Sequence, residues 1–470
     1  MGVGGAGGEG GEPPVVGPDP VIGTVGSPCP INGAYGCAGN AQRGQVVCVD
    51  GRWASNGSCA SGQTCNTTGA NIGFCDAILT ECSGKAPGTT VCVGQEVQRC
   101  GPDLSTLESV QACKNQACVA GACTGVCAPK DTKCGVSALS TCNARGEWAA
   151  AVACPAATPT CVGAVCGTPP SCQSLAATCG PTAAKEACCS SPVVTGGSFY
   201  RMYDGVTAGY TVKTYAATVS DFRLDRFEVS VGRFRKFVTA WNGGWRPAAG
   251  DGKHKHLNSG AGVTDAASAM TSETGWDTTW VPNVVVSDTT LACNATYQSW
   301  TAAAGANEAR AIVCVNWYEA SAFCAWDGGF LPTEAEWNYA ASGGVDQRVY
   351  PWSSPATSTL IDCTYAQYAG GASSALCVAT ASTTVGLLSP KGDGKFLQAD
   401  LSGNAAEWTL DLSSTPTATC SNCANLLTGV TRVVRGGGGN AAVGAMLTSY
   451  RNALNPTVRN ALTGFRCARP

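Results

Sequence analysis

Cys314-Val-Asn-Trp-Tyr-Glu-Ala-Ser-Ala-Phe-Cys324-Ala-Trp-Asp-Gly-Gly-Phe-Leu-Pro-Thr-Glu-Ala-Glu-Trp-Asn-Tyr-Ala-Ala-Ser-Gly-Gly344 spells two short helices placed back to back. Asn316, followed three residues later by Glu319, makes a capping box in which each side chain satisfies an orphan amide of the first turn. Thr333 and Glu336 repeat the device after Pro332, and Gly343-Gly344 stops the second helix. Trp317, Ala320 and Cys324 recur at helical spacing, as do Trp337, Ala340 and Ala341, so each helix is expected to bury one apolar face. Helices this short are marginal alone, and the rest of the chain must cover them.

The 470 residues leave room for two or three domains. With 13% charged residues and a net charge of -3, the chain offers no basic surface for nucleic acid. Sixty glycines point to loops and tight turns. No apolar run approaches the ~20 residues that span a bilayer, so no transmembrane segment is expected within this chain.

Thirty cysteines dominate the composition. Only His254 and His256 are available to share zinc with them, and paired Cys-x-x-Cys spacings are nearly absent, so disulfides and export are the expected reading over thiolate zinc. An export signal or membrane anchor is then expected, yet Met1-Gly-Val-Gly-Gly-Ala-Gly-Gly has no apolar core of a signal peptide. Residues 1–28, rich in Gly, Pro and Val without periodicity, read as a flexible tether.

Residues 29–171 form a cysteine-rich repeat region. Its cysteines divide into three sets of six, Cys29 to Cys75, Cys82 to Cys123 and Cys127 to Cys166. Gly51-Arg-Trp53 and Gly146-Glu-Trp148 mark the same place in the first and last sets. Units of about 45 residues with so few aliphatic side chains need staples, three per unit, and six cysteines allow 15 pairings. Such a string serves as a spacer or, with Trp53 and Trp148 as exposed platforms, as a ligand-binding array. Cys172, Cys179, Cys188 and Cys189 form a separate group where the second domain, residues 172–470, begins. Within it, Gly196–Arg201 reads as an opening strand, and residues 221–231 alternate as a strand before a helix over 231–241. Residues 245–310 have weak periodicity and are expected to make a long surface excursion, where specificity tends to lie.

Val315-Asn-Trp-Tyr-Glu-Ala, Leu331-Pro-Thr-Glu-Ala-Glu-Trp, Asp400-Leu-Ser-Gly-Asn-Ala-Ala-Glu-Trp408, Arg435-Gly-Gly and Gly464-Phe-Arg-Cys467, in this order, resemble the sulfatase-modifying-factor or formylglycine-generating-enzyme family over residues 190–470. The resemblance implies an α+β, loop-rich, C-type-lectin-like fold following the small disulfide-rich modules. It implies oxidation of a partner's cysteine to formylglycine by two cysteines shortly after Arg-Gly-Gly that hold copper(I), for which soft thiolates are suited. Here those slots fall near Ala441 and Met446, with no cysteine between Cys423 and Cys467, so copper is not expected and no catalytic residue is assigned. Phe330, Ala406 and Gly438 depart from the family's Arg, Trp and Ser.

The resemblance also implies a Cys324–Cys467 disulfide. Cys293, Cys314, Cys363, Cys377, Cys420 and Cys423 are left as local staples, with Cys420-Ser-Asn-Cys423 open to a redox reading. Asp400, Ser402, Asn404 and Glu407 place oxygen-bearing side chains around Gly403, and the resemblance implies a structural calcium in this region with Asp400 and Asn404 as its leading ligands, although a self-capping turn would produce the same pattern. Gln367 replaces the Asn of a second family calcium site. His254 and His256 are expected on the surface, and no iron-binding triad is present. Trp317, Trp408, Arg435, Arg451, Arg459 and Arg466 are either groove residues or arginines stitching acids of a loop-rich core. The expected function is that of an exported binding or surface protein for a protein, peptide or glycan, lacking the oxidase. The alternative is a divergent oxidase that modifies an extracytoplasmic protein.

Overall fold

Short strands and cystines replace a conventional core in the N-terminal repeats. The computed structural model describes residues 22–68, 71–135, 138–154, 160–162, 165–369, 377, 382–417 and 419–470. In the first repeat, strands Tyr35–Cys37, Gly44–Val49 and Arg52–Ser58 form a meander, followed by a hairpin of Gln63–Cys65 and Cys75–Ala77. The second repeat does the same with Thr90–Val93, Glu96–Cys100 and Leu107–Ala112, then Ala117–Val119 and Ala122–Thr124. Cys29–Cys48, Cys37–Cys65 and Cys59–Cys75 pair first to third, second to fifth and fourth to sixth. Cys82–Cys100, Cys92–Cys118 and Cys113–Cys123 repeat that order. Cys127–Cys142 and Cys154–Cys166 follow it in the third set, whose Cys134 and Cys161 side chains lie outside the described ones.

The middle bond of each complete repeat joins meander to hairpin. Loops of this length give each bond roughly 3 kcal/mol on the chain-entropy account, which makes up for a minimal apolar core. Trp53 is 3% exposed beside Val46 and Cys48, so it fills that core rather than forming a platform. Gly51 turns the chain at φ 73° to place it.

The described chain gathers into two compact units, residues up to Asp131 with Thr141–Ala150, and Thr132–Ser140 with Ala151–Pro470. The second is built around helices α1 (Val231–Asn242), α2 (Trp317–Trp326) and α3 (Glu334–Ala341). Three sheets of three or four strands stand around them, beside a two-stranded parallel pair of Thr264–Asp265 with Cys423–Ala424. Val193–Val194 (β1), Phe222–Leu224 (β4) and Ala468–Arg469 (β10) make one in the order β1-β4-β10. Gly197–Arg201 (β2), Tyr215–Val219 (β3) and Thr419–Ser421 (β6) make another. Ala406–Leu412 (β5), Arg432–Arg435 (β7), Asn452–Leu454 (β8) and Thr463–Gly464 (β9) form the third, ordered β8-β7-β5-β9.

Both capping boxes are made: Asn316 with Glu319 and Thr333 with Glu336 exchange side-chain and backbone bonds. Gly343 and Gly344, at φ 68° and 66°, end α3. Phe234 and Phe237 of α1 pack on Phe323 of α2 and, with Phe465 and Trp408, form the main core. Cys324 joins Cys467 inside it.

Three expectations change. All eight residues of α3 are buried, polar ones included, instead of one apolar face. Glu334 is bound by Arg451, Glu336 by His254, and Asn338 donates to Thr448 O, so distant partners satisfy what local patterning would send to water. The strand expected over 221–231 stops at Leu224, because Asp225 turns inward to bind Arg233 and Arg469. The 245–310 excursion does not stay on the surface: Trp276, Val284, Val286, Leu291 and Trp300 enter the main core, and Cys293–Cys314 ties the segment down.

A closed ring of buried charge locks this unit. Arg233 binds Asp225 at 2.9 Å and Asp327 at 2.7 Å, and Arg469 binds the same two aspartates, all four side chains being 0–1% exposed. Two cations and two anions balance, which is the condition for burying such groups.

Candidate functional site

After β7 the chain must reverse sharply, and Gly436 and Gly437 allow it at φ 85° and 68°. A Cβ on Gly437 would stand 2.9 Å from the backbone oxygen of Ala445, so glycine lets the returning 443–446 turn pack this closely. Between that turn and the β8-β7-β5-β9 sheet lies a cleft of about 440 Å3, whose walls include Ala406, Asn440, Ala441, Tyr450, Asn452 and Asn460. Ala441, one of the two slots expected for a copper-binding cysteine, lies on its wall. Met446, the other, is fully buried with Tyr350 and Tyr368. Ala406 stands on the wall where the family resemblance expects the wider Trp.

The cleft walls carry amides, hydroxyls and apolar groups but no carboxylate, imidazole, amine or thiol among the described residues. Such a surface can hydrogen-bond and exclude water. All described cysteines are paired, including Cys420–Cys423 and Cys363–Cys377.

The tryptophans and arginines expected at a groove sit elsewhere. Trp317 and Trp408 are 1% and 0% exposed and donate to Thr409 O and Val315 O. Arg466 grips Glu407 through two nitrogens, Arg451 grips Glu334, and Arg459 grips Glu319. Arg435 is buried 3.7 Å from Glu334, and burial brings its pKa down to about 10. Burial opposes the charge of Arg466, yet Glu407, Glu228 and Asp400 outweigh it and hold its pKa above the ordinary value. These arginines stitch the loop-rich core, the second of the two readings, and none lines the Ala441 cleft.

All four residues proposed for calcium make protein hydrogen bonds, and Asn404 Oδ1 accepts from Thr383 N at 2.8 Å. Ser402 donates to Met446 O, and both Glu407 oxygens serve Arg466, one of them also Trp337. Asp400 accepts from Gly386 N, and Asn404 donates to Glu228, an acid that sequence reasoning missed because it lies 176 residues away. Burial first, then neighbouring Asp393 and Glu407, pushes Asp400 up to about 6. Burial, Asp400 and Glu407 drive Glu228 well above its ordinary value. Hard oxygens with excess buried negative charge suit calcium in kind. Among the described residues, however, no three His, Cys, Asp or Glu side chains converge as a metal site. Backbone carbonyls would have to complete the shell.

His254 is not on the surface. It is fully buried, with Nδ1 2.9 Å from Glu273 and Nε2 3.2 Å from Glu336. Burial disfavours its charge, but the two carboxylates prevail and raise its pKa to about 10. His256 stacks on Phe330, and burial together with the charge of His254 lowers its pKa to about 4. The sequence had no local sign of this, since the two acids are 19 and 82 residues from His254. Because the folded pKa of His254 exceeds its unfolded 6.5, its stabilisation is complete below about pH 6.5 and lost as pH rises through about 10. Thermal unfolding should therefore show Tm falling over that window, and His254→Gln should flatten this slope while lowering Tm at pH 6.

The mixed helix and sheet body, rich in loops, has the fold of the formylglycine-generating-enzyme type. Residues 177–470 match the Sulfatase-modifying factor enzyme 1-like domain, and the chain belongs to that family. A formylglycine-generating enzyme of Thermomonospora curvata is 29% identical over 278 residues, 53% of this chain and 82% of that protein. The inactive C-alpha-formylglycine-generating enzyme 2 of Mus musculus is 56% identical over 41 residues, 9% of this chain and 13% of that protein. Among solved structures, PvdO from Pseudomonas aeruginosa is similar with a TM-score of 0.40 and 19% identity, over 59% of this chain and 92% of that one. The disulfides suit an oxidising, extracytoplasmic environment. No described helix is long and apolar enough to cross a membrane.

Proposed function

We propose that this chain is an extracellular or cell-surface binding protein that uses the formylglycine-generating scaffold without its oxidase. The observation that carries the reading is the Ala441 cleft, whose walls bear hydrogen-bonding amides and no thiol. A peptide or glycan suits such walls, because both present alternating polar and apolar groups. The repeats that precede the domain support display away from a surface.

Copper(I) titration with an oxidation assay on a cysteine-containing sulfatase peptide is expected to give neither tight metal binding nor formylglycine. Glycan and peptide arrays are expected to give saturable binding, which Ala441→Trp abolishes by filling the cleft. Tight copper binding with formylglycine formed would replace this reading by that of a divergent oxidase, which the Thermomonospora curvata relative supports. The buried carboxyls of Asp400 and Glu228, gathered with Asn404, support a structural calcium as well, since a cation there would favour their ionised forms. Adding calcium to chelator-treated protein should then raise Tm by several degrees, and an unchanged Tm would count against the ion.

A further inference from the structure

A second cavity, of about 160 Å3, lies between residues 271–276, Leu426 and Leu427, and the start of α2. Its aromatic wall is a chain of edge contacts, Trp276 to Trp280 and Trp280 to Trp317, each with ring centres 5.4 Å apart. Arg432 lies 3.8 Å over the Trp317 ring. Its position is unlike that of the deeply buried Arg233, Arg435, Arg466 and Arg469, each of which has a carboxylate within 4 Å.

Arg432 Nη1 donates to Leu410 O, and its buried Nε has no partner. Asp411 and Tyr318 are the groups whose charge it feels, and Asp411 is already accepting from the amides of Glu334 and Asn425. Trp276, 2% exposed, leaves its Nε1–H without an acceptor. Of the acids on the cavity wall, Glu273 is bound to His254 and Asp251 accepts from Ala248 N. A desolvated cation and an orphan indole donor are both costly to bury, and they border one ring-lined space. A cavity of about 150 Å3 holds a benzene-sized ring.

We infer that this cavity binds a small organic carboxylate, its acid group meeting Arg432 and the Trp276 Nε1–H and its apolar part packing against Trp280, the one of the three indoles that is partly exposed. Guanidinium and carboxylate form the strongest hydrogen-bonded pairing open to such a site, and indole faces take a sugar ring or an arene alike. The site is separate from the Ala441 cleft and does not depend on the reading given for it.

Isothermal titration of the full chain with benzoate, glucuronate and N-acetylglutamate, each beside its uncharged counterpart (benzamide, glucose, N-acetylglutamine), tests this and distinguishes arene, sugar and peptide sources. At least one acid should bind saturably and about tenfold or more tighter than its neutral counterpart. Arg432→Met, which keeps cover over Trp317, should abolish that preference, Trp276→Phe should weaken it, and Ala441→Trp should leave it unchanged. The inference is overturned if no acid binds below about 10 mM, if acid and neutral counterpart bind alike to the unaltered protein, or if a folded Arg432→Met protein retains the preference.

Discussion

Asp327→Ala is expected to destabilise the second unit by about 3–5 kcal/mol, because it leaves a buried charge uncompensated. Asp327 closes the ring with Arg233 and Arg469 and accepts from Ser171 N, at 0% exposure. Without it the two guanidinium groups share Asp225 alone, with no route to water. Denaturant unfolding with the disulfides intact measures the loss. Combining Arg233→Met with Asp327→Leu should recover part of it, since an apolar pair removes the stranded charge. A loss below about 1 kcal/mol for Asp327→Ala would show that water reaches the ring.

Replacing Cys324 and Cys467 together by alanine is expected to cost about 2–5 kcal/mol, towards the upper end because the bond closes a long loop. The two cysteines are 143 residues apart, and both are 0% exposed in the aromatic core. The bond limits how far the unfolded chain can spread, and the alanines also leave space among Phe234, Phe323 and Phe465. The same exchange at Cys363–Cys377, which spans 14 residues, should cost less. Equal midpoints for the two double variants in denaturant titration would refute the ranking.

What could be read without the fold was local. Capping at Asn316 and Thr333 depends on neighbours three residues apart, and the side chains make the expected bonds. The sixfold grouping of cysteines showed the repeat, although its pairing order required knowing which strands lie side by side. The ordered motifs from Trp317 to Cys467 identified the family, and counting from Arg435 placed Ala441 and Met446 where thiols were expected. The cleft beside Ala441 could be located in that way, but not its walls, because Ala406, Tyr450 and Asn460 come from separate segments.

Residues whose energetics depend on remote partners were decided only by tertiary structure. His254 read as a surface histidine until Glu273 and Glu336 enclosed it. Nothing in the sequence marked Arg432, which in the fold stands over Trp317 with no acid within ion-pair distance among the described residues. The sequence alone determined the helix caps, the oxidised repeats and the missing thiols, since each depends on residue identity and short spacing. Only the folded chain decided which buried charges are balanced and which are left over, because Coulomb energies are set by distance and solvent access after packing.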